Sequence, residues 1–346
     1  MQSKFMRLMK QTLEIKTGPL PWTKAISAGI CCALPPFLGL LLGNIQYGLL
    51  AGIGSFSYLY VVNEPYAQRA KKLLFVVLGM TFSVGIGTIF APFPFVSALL
   101  VGVIGGIATF IFAALNIRGP AAIFFVLGFA MTTGMPIDQA LAPVRSGLVF
   151  LGGILSWLIG MAGWLIPQVR QKYVIKGTFK QARKHVFKDA LHKNSVVFLN
   201  SVRYGLTLIV AAVIAYSFEF DRPYWIIISC AAVMLGSTAT ATFHRAMQRT
   251  IGTLIGILAA TVILSFYPEG IAVVILIMLM TFFTELFIVK NYGIAVMFIT
   301  PNALLMAEST THIHYVRYFA EARITDTLIG CAIGIAGTLL VANRAK

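Results

Sequence analysis

The sequence predicts an all-α, polytopic membrane protein with about 12 transmembrane helices, arranged as two parallel six-helix repeats. Hydrophobic residues make up 58% of the 346 residues and charged residues only 11%, a composition far outside that of soluble domains. A helix needs roughly 20 apolar residues to cross about 30 Å of hydrocarbon, so these spans account for most of the chain. Little sequence remains for a soluble catalytic domain, and we therefore predict that the protein is not an enzyme.

Four segments follow from this pattern. Residues 1–21 are polar and basic and lack the apolar core of a secretory signal, so they predict a cytoplasmic amphipathic arm. Residues 22–167 hold the first six-helix membrane repeat, and residues 202–346 hold the second. Residues 168–201 interleave basic and apolar positions, which predicts a basic cytoplasmic amphipathic linker that lies on anionic lipid or docks a partner protein.

The two halves match each other at a nearly constant offset. A segment that starts at Tyr47 in the first half matches one that starts at Tyr224 in the second, and each runs through an apolar span rich in small residues to a polar, basic turn. The matched pairs are Lys72 with Arg249, Gly79 with Gly256, Arg145 with Arg323, and Gly152 with Gly330. Because each repeat has an even number of spans, both enter the membrane in the same direction. A duplicated bundle of this kind is typical of secondary transporters, with a pathway between the halves.

The distribution of basic residues predicts the orientation. With the N-terminus inside, every inner loop carries Lys or Arg, whereas the outer loops are poor in them except for the last. This pattern obeys the positive-inside rule and places both termini in the cytoplasm of a bacterial inner or plasma membrane. It also accounts for the net charge of +16, so no nucleic-acid partner is predicted.

Chemical motifs for catalysis or metal binding are not found in the sequence. The four cysteines fall inside spans without metal-type spacing, and His312 and His314 have no acidic or cysteine partner at such spacing. The glycine runs are not followed by Lys-Ser/Thr and lie in apolar spans, so they indicate helix packing rather than a phosphate loop. We predict no catalytic residue, no metal and no cofactor.

Ionisable residues inside spans are costly, which makes them the first functional candidates. Glu285 lies close to one turn from Lys290, and it either pairs with that lysine or serves as a protonatable group that couples transport to a proton gradient. Arg323 and Asp326 lie three residues apart on one helix face and can form a pair. The alternative is that Arg323 binds an anion and releases Asp326.

Two further features point towards anions. Arg145, the counterpart of Arg323, has no acid three residues later, and two related arginines facing a central axis would form an anion-attracting ring. Pro301 is predicted to break the eleventh span and Pro120 to open the fifth, as either simple kinks or a binding-site marker. At this break, Asn302 is placed to donate to a bound carboxylate.

The second half resembles a known family. The run of Tyr224-Trp225, His244-Arg245, Gln248-Arg249, Gly252-Thr253 and Gly256 resembles the motif of the fusaric acid resistance / aromatic acid exporter superfamily, which is related to the aluminium-activated malate transporters. Arg323, Asp326 and Gly330 resemble the later motif of that family. The resemblance implies a bundle of membrane helices with basic inner turns, and export of organic anions, particularly aromatic carboxylates. Many members carry a large soluble region, where this chain has only the linker.

These observations lead to one functional expectation and two alternatives. The expected function is export of an organic anion, with its carboxylate drawn by basic and amide side chains and with a homodimer and membrane lipid as further partners. The alternatives are a passive organic-anion channel and a non-transport scaffold of a cell-envelope assembly system. The predicted substrate-binding residues are Arg145, Arg323, Asn302, Arg245 and Arg249, and the predicted coupling or salt-bridge residues are Glu285 and Asp326.

Overall fold

The computed structural model describes residues 12, 14–117, 119–166, 195–218, 220, 222–236, 238–308 and 316–342. These residues form twelve α-helices, which confirms the all-α prediction, joined in places by short 3-10 turns. The helices are α1 (Trp22–Leu41), α2 (Ile45–Ser55), α3 (Tyr66–Phe90), α4 (Pro94–Ala114), α5 (Ile123–Thr133), α6 (Ala142–Ala162), α7 (Val196–Ser217), α8 (Tyr224–Val233), α9 (Ala239–Ser265), α10 (Ile271–Phe287), α11 (Tyr292–Glu308) and α12 (Val316–Ala342).

Not every helix is long enough to cross a bilayer by itself. Seven helical segments of the described chain have the length and apolar composition of a membrane span, and they belong to α1, α3, α4, α6, α7, α9 and α12. By contrast, α2 and α5 have 11 residues each and α8 has 10. At a rise of about 1.5 Å per residue, such a helix covers only about half of the hydrocarbon layer. The protein is a multi-pass helical membrane protein with twelve described helices, of which seven have by themselves the length and composition of a full span.

The chain forms two compact units. Unit 1 comprises Met1–Leu50 and Glu219–Lys346, and unit 2 comprises Ala51–Phe218. Within unit 1, α1 packs along α10, α9 contacts α11 and α12, and α8 lies against α12. Within unit 2, α7 packs along α4, and α3 contacts α5 and α6.

The units do not coincide with the two sequence halves. The first helix of the first half, α1, belongs with α8–α12, and the first helix of the second half, α7, belongs with α3–α6. The predicted repeats 22–167 and 202–346 therefore describe a sequence relationship, and that relationship stays a prediction. Each packing unit thus contains the first helix of the sequence half that otherwise belongs to the other unit.

Several predictions fall on residues outside the described ranges. They include most of the arm at 1–21, most of the linker at 168–201, and the two histidines His312 and His314. The described chain resumes at Ser195, whose hydroxyl accepts a hydrogen bond from the Phe198 amide at 3.3 Å and so caps α7. The last residues of the predicted linker thus form the first turns of α7.

Pro301 does not break its helix. The α11 helix continues from Tyr292 to Glu308 with Pro301 inside it, so the predicted interruption at Pro301 is wrong. A proline leaves the carbonyl four residues earlier without its helical partner, and here that carbonyl belongs to Met297. The Met297 oxygen lies against Gly256 of α9, where a Cβ would approach it to 3.0 Å. The small glycine leaves room for the local adjustment of the backbone.

Candidate functional site

Two glycines bring α9 and α11 into close contact. A Cβ on Gly252 would lie 2.7 Å from Val296 Cβ and would also strike the Gly293 carbonyl oxygen. A Cβ on Gly256 would lie 2.7 Å from Thr300 Cβ. Only glycine allows the two backbones to approach this closely, as in membrane helix interfaces generally. The contact sets the N-terminal end of α11 beside the middle of α9.

A second close contact joins α12 to α8. A Cβ on Gly330 would lie 2.7 Å from Ser229 Cβ and 3.0 Å from the Cys230 nitrogen. All ten residues of α8 are buried, so this half-length helix is enclosed by its neighbours. The packing of Gly330 on α8 brings the preceding turns of α12 alongside the Tyr224-Trp225 pair at the start of α8.

Arg323 stacks on Trp225. The guanidinium carbon of Arg323 lies 3.2 Å from the centroid of the indole ring, and the arginine is only 2% exposed. Its Nε and Nη1 atoms have no hydrogen-bond partner among the described residues. A buried guanidinium is stabilised by the π face, but its in-plane N–H donors are left for another acceptor.

Arg249 and Arg245 converge on Tyr292. Arg249 Nη1 donates to the Tyr292 hydroxyl at 2.9 Å, and Arg249 is 3% exposed. The Arg245 guanidinium lies 4.2 Å from the centroid of the same ring, and its Nε donates to the Ala232 carbonyl at 3.1 Å. Tyr292 at the start of α11 therefore positions both arginines of α9. Arg249 Nε has no hydrogen-bond partner in the described part of the chain.

We call Arg245, Arg249 and Arg323 the arginine cluster. Arg323 interacts electrostatically with Arg249, with Asp326 and with the nearby tyrosines Tyr224 and Tyr292. Among the described residues, two buried arginines, Arg249 and Arg323, thus lie near one buried aspartate, Asp326, in a low-dielectric setting.

The partner of Glu285 is Lys24, not Lys290. Lys24 Nζ of α1 lies 2.9 Å from Glu285 Oε2 of α10, and the glutamate side chain is 5% exposed. Lys290 donates instead to the Gly18 carbonyl. The predicted pairing of Glu285 with Lys290 is wrong, because α1 packs along α10 and offers a cation directly opposite the carboxylate. An ion pair with a buried carboxylate thus joins α1 to α10 within unit 1.

Asn302 holds α11 to α10. Its Nδ2 donates to Thr281 Oγ1 at 3.2 Å, and the asparagine is buried. The Oδ1 atom has no hydrogen-bond partner among the described residues. Asn302 therefore has one helix-to-helix contact already in place, and its role towards a substrate stays a prediction.

Two basic residues of unit 2 that correspond to arginines of the cluster have local partners. Arg145 Nη2 donates to the Pro136 carbonyl at 2.9 Å and interacts electrostatically with Asp138. Lys72, the counterpart of Arg249, forms an ion pair with Glu64. The matched positions of the two halves thus differ in their partners, and the role of Arg145 in substrate binding stays a prediction.

Unit 2 also contains an apolar groove of about 370 Å³ between α4 and α7. Its lining includes Gly102, Phe110 and Phe198 and contains no charged residue. It therefore offers no group that would select an anion.

Sequence reasoning missed two members of the site in unit 1. Trp225 enters the sequence analysis only as part of the family motif and is not among the predicted site residues, yet it lies beneath Arg323. Tyr292 follows the basic loop at Lys290 and receives no role from sequence, yet it contacts two arginines. The Tyr-Trp pair inside the family motif was an available signal for Trp225. Tyr292 gives no comparable signal, because only the packing of α11 on α9 reveals it.

The fold and the site define a multi-pass helical membrane protein of the transporter type, with a buried cationic and aromatic site in one unit. Residues 210–337 match the sequence profile of the family described as fusaric acid resistance protein-like. The uncharacterized membrane protein YvaC of Bacillus subtilis (strain 168) is 30% identical over an alignment of 478 residues, which covers 99% of this chain and 76% of YvaC. The chain therefore belongs to the fusaric acid resistance protein-like family.

Other relatives match the chain over shorter ranges. The inner membrane protein YccS of Escherichia coli (strain K12) is 36% identical over 141 residues, or 40% of this chain and 19% of YccS. The uncharacterized protein YhfK of the same organism is 30% identical over 153 residues, or 44% of this chain and 21% of YhfK. No solved structure matches the chain. The alignment with YvaC is longer than the chain itself, so that relative carries additional residues within the matched range.

Proposed function

We propose that this protein exports organic anions, in particular aromatic carboxylates, across the bacterial inner membrane, and that the arginine cluster binds the carboxylate. The observation that carries this proposal is the convergence of Arg249 and Arg323 beside Trp225 with unused N–H donors on both guanidiniums. Charge-assisted hydrogen bonds from arginine to carboxylate are among the strongest in proteins. Both arginines are almost fully buried, which strengthens their attraction to an anion.

The aromatic surroundings support the choice of substrate class. Tyr224 and Trp225 are buried at the start of α8, and their rings lie 5.0 Å apart between centroids. Tyr292 supplies a third ring, whose hydroxyl accepts a hydrogen bond from Arg249. A flat aromatic acid would exchange its hydration for contact with these rings while its carboxylate meets the cations. An aliphatic carboxylate of similar size would keep only the ionic part of this recognition.

The proposed orientation has both termini in the cytoplasm. Within unit 1, the Lys16 amide donates to the Lys290 carbonyl at 3.1 Å, and Gln248 Nε2 donates to the Thr12 carbonyl at 2.8 Å. The N-terminal arm, the start of α9 and the α10–α11 connection therefore lie on one side. These are three of the segments that the positive-inside rule assigns to the cytoplasm, which supports that assignment.

The Lys24–Glu285 ion pair is the proposed coupling element. Protonation of Glu285 would remove its attraction to Lys24 and so weaken the contact between α1 and α10. In this proposal Glu285 either pairs with Lys24 or carries a proton, and the two states correspond to two arrangements of α1 and α10. Asp326, beside Arg323, is the second proposed acid, because an anion on Arg323 would compete with it for the same charge.

The remaining parts of the proposal concern assembly. We include the two parallel six-helix repeats, a homodimer, and lipid as the medium around apolar surfaces such as Leu254, Leu258 and Val262 of α9, which are exposed on unit 1. The like arrangement of helix contacts, with α3 against α5 and α6 and with α9 against α11 and α12, supports the repeat.

Flux through the purified protein tests the function. Proteoliposomes loaded with radiolabelled benzoate should release it faster than protein-free liposomes, and a proton gradient should accelerate release. Arg249→Gln should reduce the rate to near the protein-free value, whereas Arg69→Gln should preserve it, because Arg69 of unit 2 already donates to the Gly160 and Val62 carbonyls.

The same preparation separates the alternatives. Large benzoate currents without any need for a proton gradient would identify a passive channel. Absence of both flux and current from folded protein would contradict transport and favour the envelope-assembly scaffold.

A further inference from the structure

The N-terminal segment of residues 12 and 14–18, here called the strap, is tied across unit 1. Its first described residue, Thr12, is only 2% exposed. The Thr12 carbonyl accepts hydrogen bonds from Gln248 Nε2 at 2.8 Å and from Asn291 Nδ2 at 3.1 Å. Thr12 Oγ1 also lies 2.8 Å from His244 Nδ1, a hydrogen-bond distance. One residue of the arm thus joins the first turns of α9 to the connection before α11.

The rest of the strap continues along the same connection. Asn291 Nδ2 also donates to the Glu14 carbonyl at 3.0 Å, and the Lys16 amide donates to the Lys290 carbonyl at 3.1 Å. Lys290 Nζ donates to the Gly18 carbonyl. Residues 14–18 are themselves exposed, so the strap is held mainly through its backbone and not by burial of its side chains. A segment held in this way can be released without unfolding the helices beneath it.

Each side-chain amide that donates to the strap belongs to the direct chain neighbour of a residue in the site. Gln248 precedes Arg249, and Asn291 precedes Tyr292, whose hydroxyl accepts from Arg249. Asn291 also caps α11, because its Oδ1 accepts from the Gly293 amide at 2.7 Å and from the Ile294 amide at 3.3 Å. The same asparagine therefore binds the strap with its nitrogen and orders the start of α11 with its oxygen.

We propose that the strap is a gate: while docked, it closes the α9–α11 end of the site, and its release opens access to the arginine cluster from the side on which the arm lies. The identity of the ligand rests on the proposed function, but the gate itself does not. The geometry ties the strap to the two elements that carry Arg249 and Tyr292, so the docked strap holds together the two residues that form the Arg249–Tyr292 hydrogen bond of the site.

The test variant removes the side-chain amide donors to the strap but keeps the cap at the start of α11. In the double variant Gln248→Glu/Asn291→Asp, the carboxylates lose the three N–H contacts to the Thr12 and Glu14 carbonyls. The cap of α11 is preserved in this variant, because an aspartate oxygen can still accept from the Gly293 and Ile294 amides. The matched control is Gln139→Glu in unit 2, which loses one similar contact to the Ile89 carbonyl.

Two measurements are made on the full chain in nanodiscs. Hydrogen exchange at the Lys16 amide reports docking of the strap, and acrylamide quenching of Trp225 reports access to the site. For the second measurement, Trp22, Trp157 and Trp164 are replaced by Phe. In the double variant we expect exchange at Lys16 to rise about tenfold and the quenching constant of Trp225 to rise about twofold, with neither change in the control.

Two outcomes would overturn the gate. Faster exchange with unchanged quenching would mean that the strap is only a tether, and unchanged exchange would mean that these donors do not hold it. Acrylamide is neutral, so the result does not depend on anion binding. If the protein fails to bind benzoate but the strap variant still exposes Trp225, the proposed function falls and the gate stands.

Discussion

The guanidinium carbon of Arg323 lies 3.2 Å from the centroid of the Trp225 ring, and this contact explains how a buried arginine can remain available to a ligand. Stacking on the π face stabilises the cation through the ring quadrupole and does not use the N–H groups in the guanidinium plane. The Nε and Nη1 donors of Arg323 therefore remain without a hydrogen-bond partner in the described structure. Trp225 supports the charge while leaving its directional donors for an anion.

The first prediction concerns the planarity of Arg323. Arg323→Lys keeps the charge but removes the stacked plane and the forked donors, so benzoate affinity should fall about tenfold. Arg323→Gln also removes the charge, and the loss should reach about a hundredfold. Isothermal titration in nanodiscs measures both. Equal affinity of the lysine variant and the wild type would show that only charge matters at this position.

The second prediction concerns the ring beneath Arg323. Trp225→Phe keeps a π face, whereas Trp225→Leu leaves the guanidinium over an aliphatic side chain. The free energy of unfolding should fall by about 1–2 kcal/mol more for the leucine variant than for the phenylalanine variant. Chemical denaturation in detergent, followed by circular dichroism, gives the comparison. A smaller loss in the leucine variant would mean that the indole serves as packing alone.

The third prediction tests the contact between α9 and α11. A methyl group at Gly252 would strike the Gly293 carbonyl and lie 2.7 Å from Val296 Cβ, so Gly252→Ala should push α11 away and separate Tyr292 from Arg249. Overpacking of this kind costs about 1–3 kcal/mol. We therefore expect a lower midpoint of thermal unfolding and a lower affinity for benzoate in this variant.

The control for this change is Gly147→Ala in α6, where a Cβ would meet no atom within 4 Å. That variant should be as stable as the wild type or more stable by about 0.5–1 kcal/mol, since alanine favours a helix. Similar losses in the two variants would contradict a specific role for the α9–α11 contact.

The fourth prediction concerns the Lys24–Glu285 pair. The Lys24 side chain is 32% exposed and the Glu285 side chain only 5%, so the two single changes should not cost the same. Lys24→Met leaves a buried carboxylate without its cation and should lower the free energy of unfolding by about 2 kcal/mol, whereas Glu285→Gln leaves a lysine that water can reach.

The double variant Lys24→Met/Glu285→Gln should recover part of that loss, and unfolding of all four proteins gives the coupling energy. Strict additivity would mean that the pair contributes no interaction. In proteoliposomes, Glu285→Gln should also abolish the acceleration of efflux by a proton gradient. Unchanged proton dependence would remove Glu285 from the coupling scheme.

The sequence predicts the positions of the helices more accurately than it predicts their lengths. Apolar runs identify the helices because helical hydrogen bonds are local and a bilayer leaves the backbone no other partner. The end of α8 at Val233 is not visible in the same way, since the chain remains apolar through Leu235 before Gly236. Its half length depends on how it is enclosed by the rest of unit 1.

For the site, too, the sequence identifies some residues but not the contacts between them. The resemblance to the family motif marks Arg245, Arg249 and Arg323, and Arg323 also stands out by itself as an ionisable residue inside an apolar segment. The sequence suggests Lys290 as the partner of Glu285, and this is wrong. Lys290 is near Glu285 in the chain, whereas Lys24 is near it only in the folded protein. Which helix packs on which is a tertiary property, and the exchange of α1 and α7 between units has no local signal.

Benzoate binding to the wild type and to the double variant Arg249→Gln/Arg323→Gln tests the central claim most directly. Equilibrium binding of radiolabelled benzoate in nanodiscs should be saturable in the wild type, absent in the double variant and retained in Arg69→Gln, and benzamide should not compete. Equal benzoate affinity in the wild type and in a folded double variant would contradict the assignment of the arginine cluster as the carboxylate site.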